Sequence, residues 1–243
     1  MSSKPEDISV IKTRGNLRAV VPAAGQGRRV GSVVPKQYLE IAGAPVLAHS
    51  LNRLAEIQQI DAIFVGISKV DRYWEKLVLP QDMQVVCYTG GQSRAETVWL
   101  GLETLKEYAS AEDWVLVHDA ARPCVEASQI EALISAVVPS FEGGLLAAPI
   151  SDTVKIANQD LTTRQTMNRT MLWRAQTPQL FQFPVLSAAL DAVADDFESI
   201  SDEAVAVEKL GLNPLIVRST ERNLKITNKE DLELAEFLLA KQT

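Results

Sequence analysis

Short apolar runs of β-forming residues alternate with longer stretches of helical periodicity along this 243-residue chain, and that alternation limits the fold more than any other feature. Residues 17–23 (LRAVVPA), 61–68 (DAIFVGIS), 84–88 (QVVCY), 114–118 (WVLVH), 144–150 (GLLAAPI) and 215–218 read as strands. Most are apolar almost without interruption, which is the pattern of strands covered on both faces. Between them, residues 45–57 set Val46, Leu47, Ser50, Leu51 and Leu54 at helical spacing, and residues 93–108 carry Val98, Leu102 and Leu105 on one stripe. Further helices are expected at 72–78, 128–138, 184–194, 202–210 and 229–240. The combination predicts an α/β fold, a Rossmann-like, mostly parallel sheet with helices on both faces. Such sheets bind ligands beyond the carboxyl ends of their strands. The residues just after Ala23, Tyr88 and His118 are therefore the ones to examine.

One stretch breaks the pattern. Residues 151–176 (SDTVKIANQDLTTRQTMNRTMLWRAQ) are polar, Thr-rich and without apolar periodicity. They read as a β-hairpin arm leaving the main sheet, or as a lid over the site. Residues 1–16, polar and mixed in charge, read as a flexible lead-in and not a signal peptide. The rest, 17–243, reads as a single domain with an arm at about 151–176. No apolar stretch approaches the ~20 residues that would span a bilayer. Cys87 and Cys124 have no Cys or His at metal-ligand spacing and read as buried structural thiols, which fits a reducing cytoplasm.

Net charge is −7, which argues against nonspecific binding to nucleic acid or membrane. The distribution is more informative than the sum. From Ile8 to Leu39 there is no acid, yet Lys12, Arg14, Arg18, Arg28, Arg29 and Lys36 fall there. A purely basic segment in an acidic chain reads as a site for a compact anion, against the plainer alternative of chance clustering on a solvated surface. Inside it, the first strand runs into Ala23-Ala24-Gly25-Gln26-Gly27-Arg28-Arg29. Glycines two apart let successive N–H groups curl around phosphate oxygens, and the alanines let a ligand approach the main chain. A dinucleotide fingerprint fails because Val30 stands where the third glycine belongs, and no Gly-Lys dipeptide exists for a Walker loop.

Three other groups stand at expected strand ends. Gly90-Gly91 precede Ser93-Arg94 and Thr97; they could admit a base or ribose, or form only a tight turn. Asp119, in the run VHDAARP, offers a carboxylate beside small residues, to bind hydroxyls, organise a metal, or merely cap the next turn. Asp152, Thr153 and Lys155 follow the strand at 144–150. Of the two histidines, His49 reads as helix packing, and His118 has no nucleophile nearby for acyl chemistry.

At these residues the chain resembles the 2-C-methyl-D-erythritol 4-phosphate cytidylyltransferases of the non-mevalonate isoprenoid pathway. The matching blocks are PAAGQGRR (22–29), PKQYL (35–39), GGQSRAETV (90–98), VHDAARP (117–123), APISDTVK (148–155), NRTMLWRAQTPQLF (168–181), SDEAVAVE (201–208) and NLKIT (223–227). Each is modest alone; in this order, across nearly the whole chain, they are specific. The resemblance implies a nucleotidyltransferase domain, an arm used for dimerisation, a homodimer, and Mg²⁺ held mainly by CTP phosphates with no protein metal site. It implies CTP at Ala23, Ala24, Gly25, Gly27, Lys36, Gly91, Gln92, Thr97, Asp119 and Ala120. Thr97 stands where the family usually has serine and keeps the hydroxyl. Arg29 and Lys36 match residues that stabilise the transition state, Arg169 and Lys225 those that position the polyol phosphate, and Thr153 and Asp119 its hydroxyl contacts. The implied reaction joins CMP from CTP to 2-C-methyl-D-erythritol 4-phosphate, giving 4-diphosphocytidyl-2-C-methyl-D-erythritol and pyrophosphate in the cytoplasm. Three rivals remain: another polyol phosphate acceptor such as ribitol 5-phosphate, a non-catalytic nucleotide-binding protein, and a nicotinamide-dependent oxidoreductase. The PAAG start disfavours the first, the presence of Arg29 and Lys36 the second, and Val30 the third.

Overall fold

The computed structural model describes residues 15–25, 34–139 and 142–242. Its elements in chain order are β1 (Leu17–Pro22), a tight hairpin of β2 (Glu40–Ile41) and β3 (Ala44–Pro45), α1 (Val46–Ala55), β4 (Ile60–Ile67) and β5 (Gln84–Thr89). Then come α2 (Arg94–Leu105), β6 (Trp114–Val117), α3 (Ala127–Val137), β7 (Gly143–Pro149), and a second hairpin of β8 (Lys155–Ala157) and β9 (Thr163–Thr166). The chain closes with β10 (Trp173–Gln182), α4 (Phe183–Asp191), α5 (Glu203–Lys209), β11 (Leu215–Arg218) and α6 (Lys229–Leu239). The helix expected at 72–78 is only a 3-10 turn, Trp74–Lys76.

Seven strands form one sheet in the order β11-β7-β10-β6-β1-β4-β5. β1 runs parallel to both β4 and β6, β4 parallel to β5, and β7 parallel to β11. From β1 the chain moves outward to β4 and β5, then crosses back to place β6 on the other side of β1. That reversal opens a crevice beyond the carboxyl ends of β1 and β6.

The continuous apolar runs follow from what covers the sheet. Ala19 and Val21 of β1 face one layer with Ile63, Val65 and Leu116, packed under Leu47, Leu51 and Leu54 of α1 and Ile130 and Leu133 of α3. Val20 faces the other, with Phe64, Val115, Val117 and Phe181, under Val98 and Leu102 of α2 and Leu186 and Leu190 of α4. Each fully buried Leu or Phe contributes roughly 1.5–3 kcal/mol of transfer free energy, so both helix layers contribute to the stability of the sheet.

Three expectations change. β10 went unseen because it carries Arg174, Gln176, Thr177 and Pro178; it nevertheless lies inside the sheet, antiparallel to β6 and β7, with a register shift between Ala175 and Gln179. The last residues of the 151–176 stretch, from Trp173 on, thus belong to β10, while β8 and β9 pair only with each other. Cys124 is buried but Cys87 is exposed, because β5 is the edge strand and half open to solvent. Finally, Arg18 is not part of an anion site. It is the second residue of β1, at the end remote from the crevice, and pairs with the buried Asp113, which also accepts from the Asn16 N–H at 3.0 Å.

Candidate active site

The chain leaves β1 along the floor of a cleft of about 380 Å³. The Ala23 N–H donates to Gly66 O (2.8 Å), which extends the β1–β4 pairing by one residue. The buried Gln37 amide then donates to both Ala23 O (2.7 Å) and Gly25 O (3.0 Å). One side-chain nitrogen thereby holds two carbonyls on the protein side of the loop. Sequence reasoning missed Gln37, since its partners are 14 and 12 residues away and no local pattern marks them.

The wall opposite is the turn from β5 into α2. Gly90 N–H donates to Ile67 O (2.8 Å), and a Cβ on Gly90 would lie 2.7 Å from the Ala24 Cβ. Only glycine lets the two loops approach this closely. Gly91 N–H donates to Thr97 Oγ1 (3.1 Å), whose own hydrogen goes to Ser93 O (2.8 Å). Ser93 caps α2 by accepting from Glu96 N–H (3.1 Å), and the Glu96 carboxylate accepts from Gln92 N–H (2.6 Å). Any β-hydroxyl at 97 serves this turn, which is why threonine there preserves it.

Asp119, one residue past the His118 that follows β6, is 5% exposed and closes the cleft. Its Oδ1 accepts from Arg94 Nε (2.7 Å), and its Oδ2 from Lys225 Nζ (2.8 Å) and Arg122 Nε (3.3 Å). Burial alone would raise its pKa, but Arg94, Lys225 and Arg122 outweigh burial and hold the carboxyl well below the usual carboxylate range. Lys36 reaches in from the 3-10 turn Lys36–Tyr38 and donates to Ile226 O (2.8 Å), joining the loop at 225–227 to the floor. Among the described residues that line the cleft, Asp119 is the only carboxylate, against Lys36, Arg94 and Lys225. The excess of cations suits a polyanion.

Behind Asp119 the polar groups are satisfied in a chain. Asp119 N–H donates to Thr177 Oγ1 (2.9 Å), so the Thr177 hydroxyl donates to His118 Nδ1 (3.2 Å), and His118 Nε2–H donates to Arg122 O (3.1 Å). Burial pushes the His118 pKa down to about 4 against the pull of the neighbouring Asp119 charge. A neutral imidazole with both nitrogens engaged is scaffolding. His49 sits on α1, bonded to Ile41 O (2.8 Å).

Of the residues singled out from sequence, Ala23, Ala24, Gly25, Lys36, Gly91, Gln92, Thr97, Asp119, Ala120 and Lys225 come together on this cleft. Gly27, Arg28 and Arg29 lie outside the described residues. Thr153 and Arg169 are not brought to the cleft of their own chain; both are exposed, Arg169 in the 3-10 turn Arg169–Met171 between the β8–β9 hairpin and β10. Among the described residues no three His, Cys, Asp or Glu side chains cluster so as to hold a metal ion, and no helix is long and apolar enough to cross a membrane.

Known proteins share this sequence and this fold. The sequence pattern of the 2-C-methyl-D-erythritol 4-phosphate cytidylyltransferase family matches residues 17–241. A protein of that name from Aliivibrio fischeri (strain MJ11) is 44% identical over 226 residues, covering 93% of this chain and 94% of its own. Another from Chromobacterium violaceum is 44% identical over 222 residues, covering 91% and 97%. A crystal structure of a 4-diphosphocytidyl-2C-methyl-D-erythritol synthase superposes with a TM-score of 0.81 at 38% identity, over 93% of this chain and 99% of that one. The Francisella tularensis cytidylyltransferase does so with a TM-score of 0.80 at 33% identity, over 92% and 99%. With matching sequence over nearly its whole length and a matching fold, the chain belongs to the 2-C-methyl-D-erythritol 4-phosphate cytidylyltransferase family and is an enzyme of the cytidylyltransferase type.

Proposed function

We propose that the enzyme transfers CMP from CTP to the phosphate of 2-C-methyl-D-erythritol 4-phosphate, releasing pyrophosphate, as a step toward isoprenoid precursors in the cytoplasm. The observation that carries this is the convergence of the Gly25 loop, Lys36, Arg94 and Lys225 on one cleft in a chain of this family. An acceptor phosphate oxygen forms a bond to the α-phosphorus of CTP as the α–β bridging bond breaks, and pyrophosphate takes the electron pair. A phosphate dianion is already nucleophilic at neutral pH, so no strong base is required. This agrees with a buried His118 that has no free nitrogen. The obstacle is charge, and fixed cations around a preformed cleft lower it.

The nucleotide would lie along Ala23, Ala24, Gly25 and Gly27 with its cytidine side against Gly91, Gln92 and Thr97 and near Asp119 and Ala120. Lys36 and Arg29 would stabilise the charge that builds at the α-phosphate and the leaving group. Lys225 and Arg169 would hold the acceptor phosphate, and Asp119 and Thr153 its hydroxyls. Magnesium fits only as an ion carried by the triphosphate, because the one carboxylate among the described residues that line the cleft already meets three protein cations. When bound, Mg²⁺ neutralises phosphate charge and limits the conformations of the triphosphate.

The reading extends to assembly: one domain over 17–243, with the arm, expected at about 151–176 and now ending before β10 at about 172, packing on a second copy in a homodimer. Thr153 and Arg169 would then serve the partner's cleft. In support, both are absent from their own cleft, and the arm exposes Leu161 (87%) and Met171 (80%). The test of function is incubation with CTP, Mg²⁺ and either methylerythritol phosphate or ribitol 5-phosphate. Pyrophosphate should appear with the first; release with ribitol 5-phosphate alone would overturn the acceptor assignment.

A further inference from the structure

Glu203 opens α5, is 1% exposed, and stands 84 residues beyond Asp119 in sequence. Its two carboxylate oxygens accept from Arg94 Nη1 (2.7 Å) and Nη2 (3.0 Å). That bidentate grip uses the far edge of the guanidinium and aims the remaining nitrogen, Nε, at Asp119 Oδ1 (2.7 Å). Arg94 is also the first residue of α2, directly after the Gly90–Ser93 turn. One planar group therefore joins the turn on one side of the cleft to the carboxylate on the other.

The consequence lies in what Asp119 has left to offer. A carboxylate has about four acceptor positions. Arg94, Lys225 and Arg122 occupy three of them. The direction of the remaining position depends on Arg94 keeping its place on Oδ1. Resting on the reading of Asp119 as an acceptor-hydroxyl ligand, we infer that Glu203 is a positioning residue for the transfer reaction: by clamping Arg94 it fixes the Asp119 carboxylate that receives the polyol. Glu203 itself never touches substrate. A purely structural role, balancing the buried charge of Arg94, would lower stability without favouring one substrate over the other.

The test is a kinetic cycle on the full-length enzyme with Glu203→Gln, Asp119→Asn and the double variant. Glutamine keeps the shape but presents an amide NH₂ to Arg94 and loses one of the two acceptors. Glu203→Gln should lower kcat/KM for 2-C-methyl-D-erythritol 4-phosphate by roughly 10-fold or more, the scale of a misplaced group. KM for CTP, whose cytidine side only borders Asp119, should rise several-fold less than KM for the acceptor, a split that loss of stability alone does not produce. Because Glu203 acts through Asp119, the double variant should be no worse toward the acceptor than Asp119→Asn alone. If the glutamine variant does not fold, Glu203→Asp, which keeps the charge but is one methylene too short to reach Arg94 as closely, and Arg94→Lys, which loses the fork, are read the same way. Unchanged acceptor kinetics in a folded variant, or a double variant whose losses multiply, overturns the inference. Asp119→Asn with native acceptor kinetics instead overturns the assignment of Asp119 on which it rests.

Discussion

Lys36 ties the site together at the level of single residues: its ammonium lies on the cleft and also holds the Ile226 carbonyl at 2.8 Å. If its charge acts on the transition state, Lys36→Ala should lower kcat by roughly 10²-fold, about 2.7 kcal/mol, while CTP affinity measured by calorimetry changes far less. A raised KM for CTP with native kcat would reassign Lys36 to ground-state binding. His118 makes a different prediction. Burial lowers its folded pKa to about 4, below its unfolded value near 6.5, so the unfolded chain binds the extra proton first as pH falls. Its contribution is complete above about pH 6.5 and is lost between there and about pH 4, roughly 3 kcal/mol in all. Unfolding free energy measured across that window should fall steeply in the native protein and less steeply in His118→Asn; parallel curves would mean that His118 does not control acid stability.

At the scale of elements, β10 separates what could be read in sequence from what could not. Phe181 of β10 is fully buried, and a Cβ on Gly143 of the paired β7 would lie 2.0 Å from its ring. Phe181→Ala should therefore cost about 3–5 kcal/mol in chemical denaturation, the penalty of a core cavity. A loss below 1 kcal/mol would place residues 179–182 outside the core. β1, β4 and β6 were legible because two helix layers demand unbroken apolar runs, and α1 and α2 because their buried stripes recur at 3.6 residues. β10 hid because its middle, Arg174 and Gln176 to Pro178, breaks the apolar run that marks the other interior strands, although the strand lies between β7 and β6. The cleft showed the same division. Small residues at the ends of β1, β5 and β6 announce close approach, so Ala23, Gly91 and Ala120 could be picked out from strand ends and family blocks. Gln37 and Glu203 could not, because their partners are set by tertiary contact. Arg18 misled for the complementary reason. A basic residue near a Gly-rich loop in sequence lies at the opposite end of a six-residue strand in space.

For the whole molecule, the placement of Thr153 and Arg169 is the decisive feature: neither lines the cleft of its own chain. If a second copy supplies them, Lys36→Ala and Arg169→Ala should each be nearly inactive, yet mixing them by joint unfolding and refolding should restore activity. Random reassortment makes about half the dimers mixed, each with one intact site, so about a quarter of native activity should return. Proven mixed dimers with no recovery would put Arg169 in its own chain's site. Chelation should stop turnover without lowering Tm, since the described residues offer no metal cage whose loss would unfold the chain; a large drop in Tm would reveal a structural ion. The central claim is that this cleft directs the acceptor phosphate onto the α-phosphorus of CTP. The most direct test is phosphorus NMR of the full-length enzyme with CTP, Mg²⁺ and 2-C-methyl-D-erythritol 4-phosphate. Two coupled doublets of a diphosphate diester should grow in equal amount with a pyrophosphate singlet, whereas CDP with a newly phosphorylated acceptor, or CMP with pyrophosphate and no diester, would contradict it.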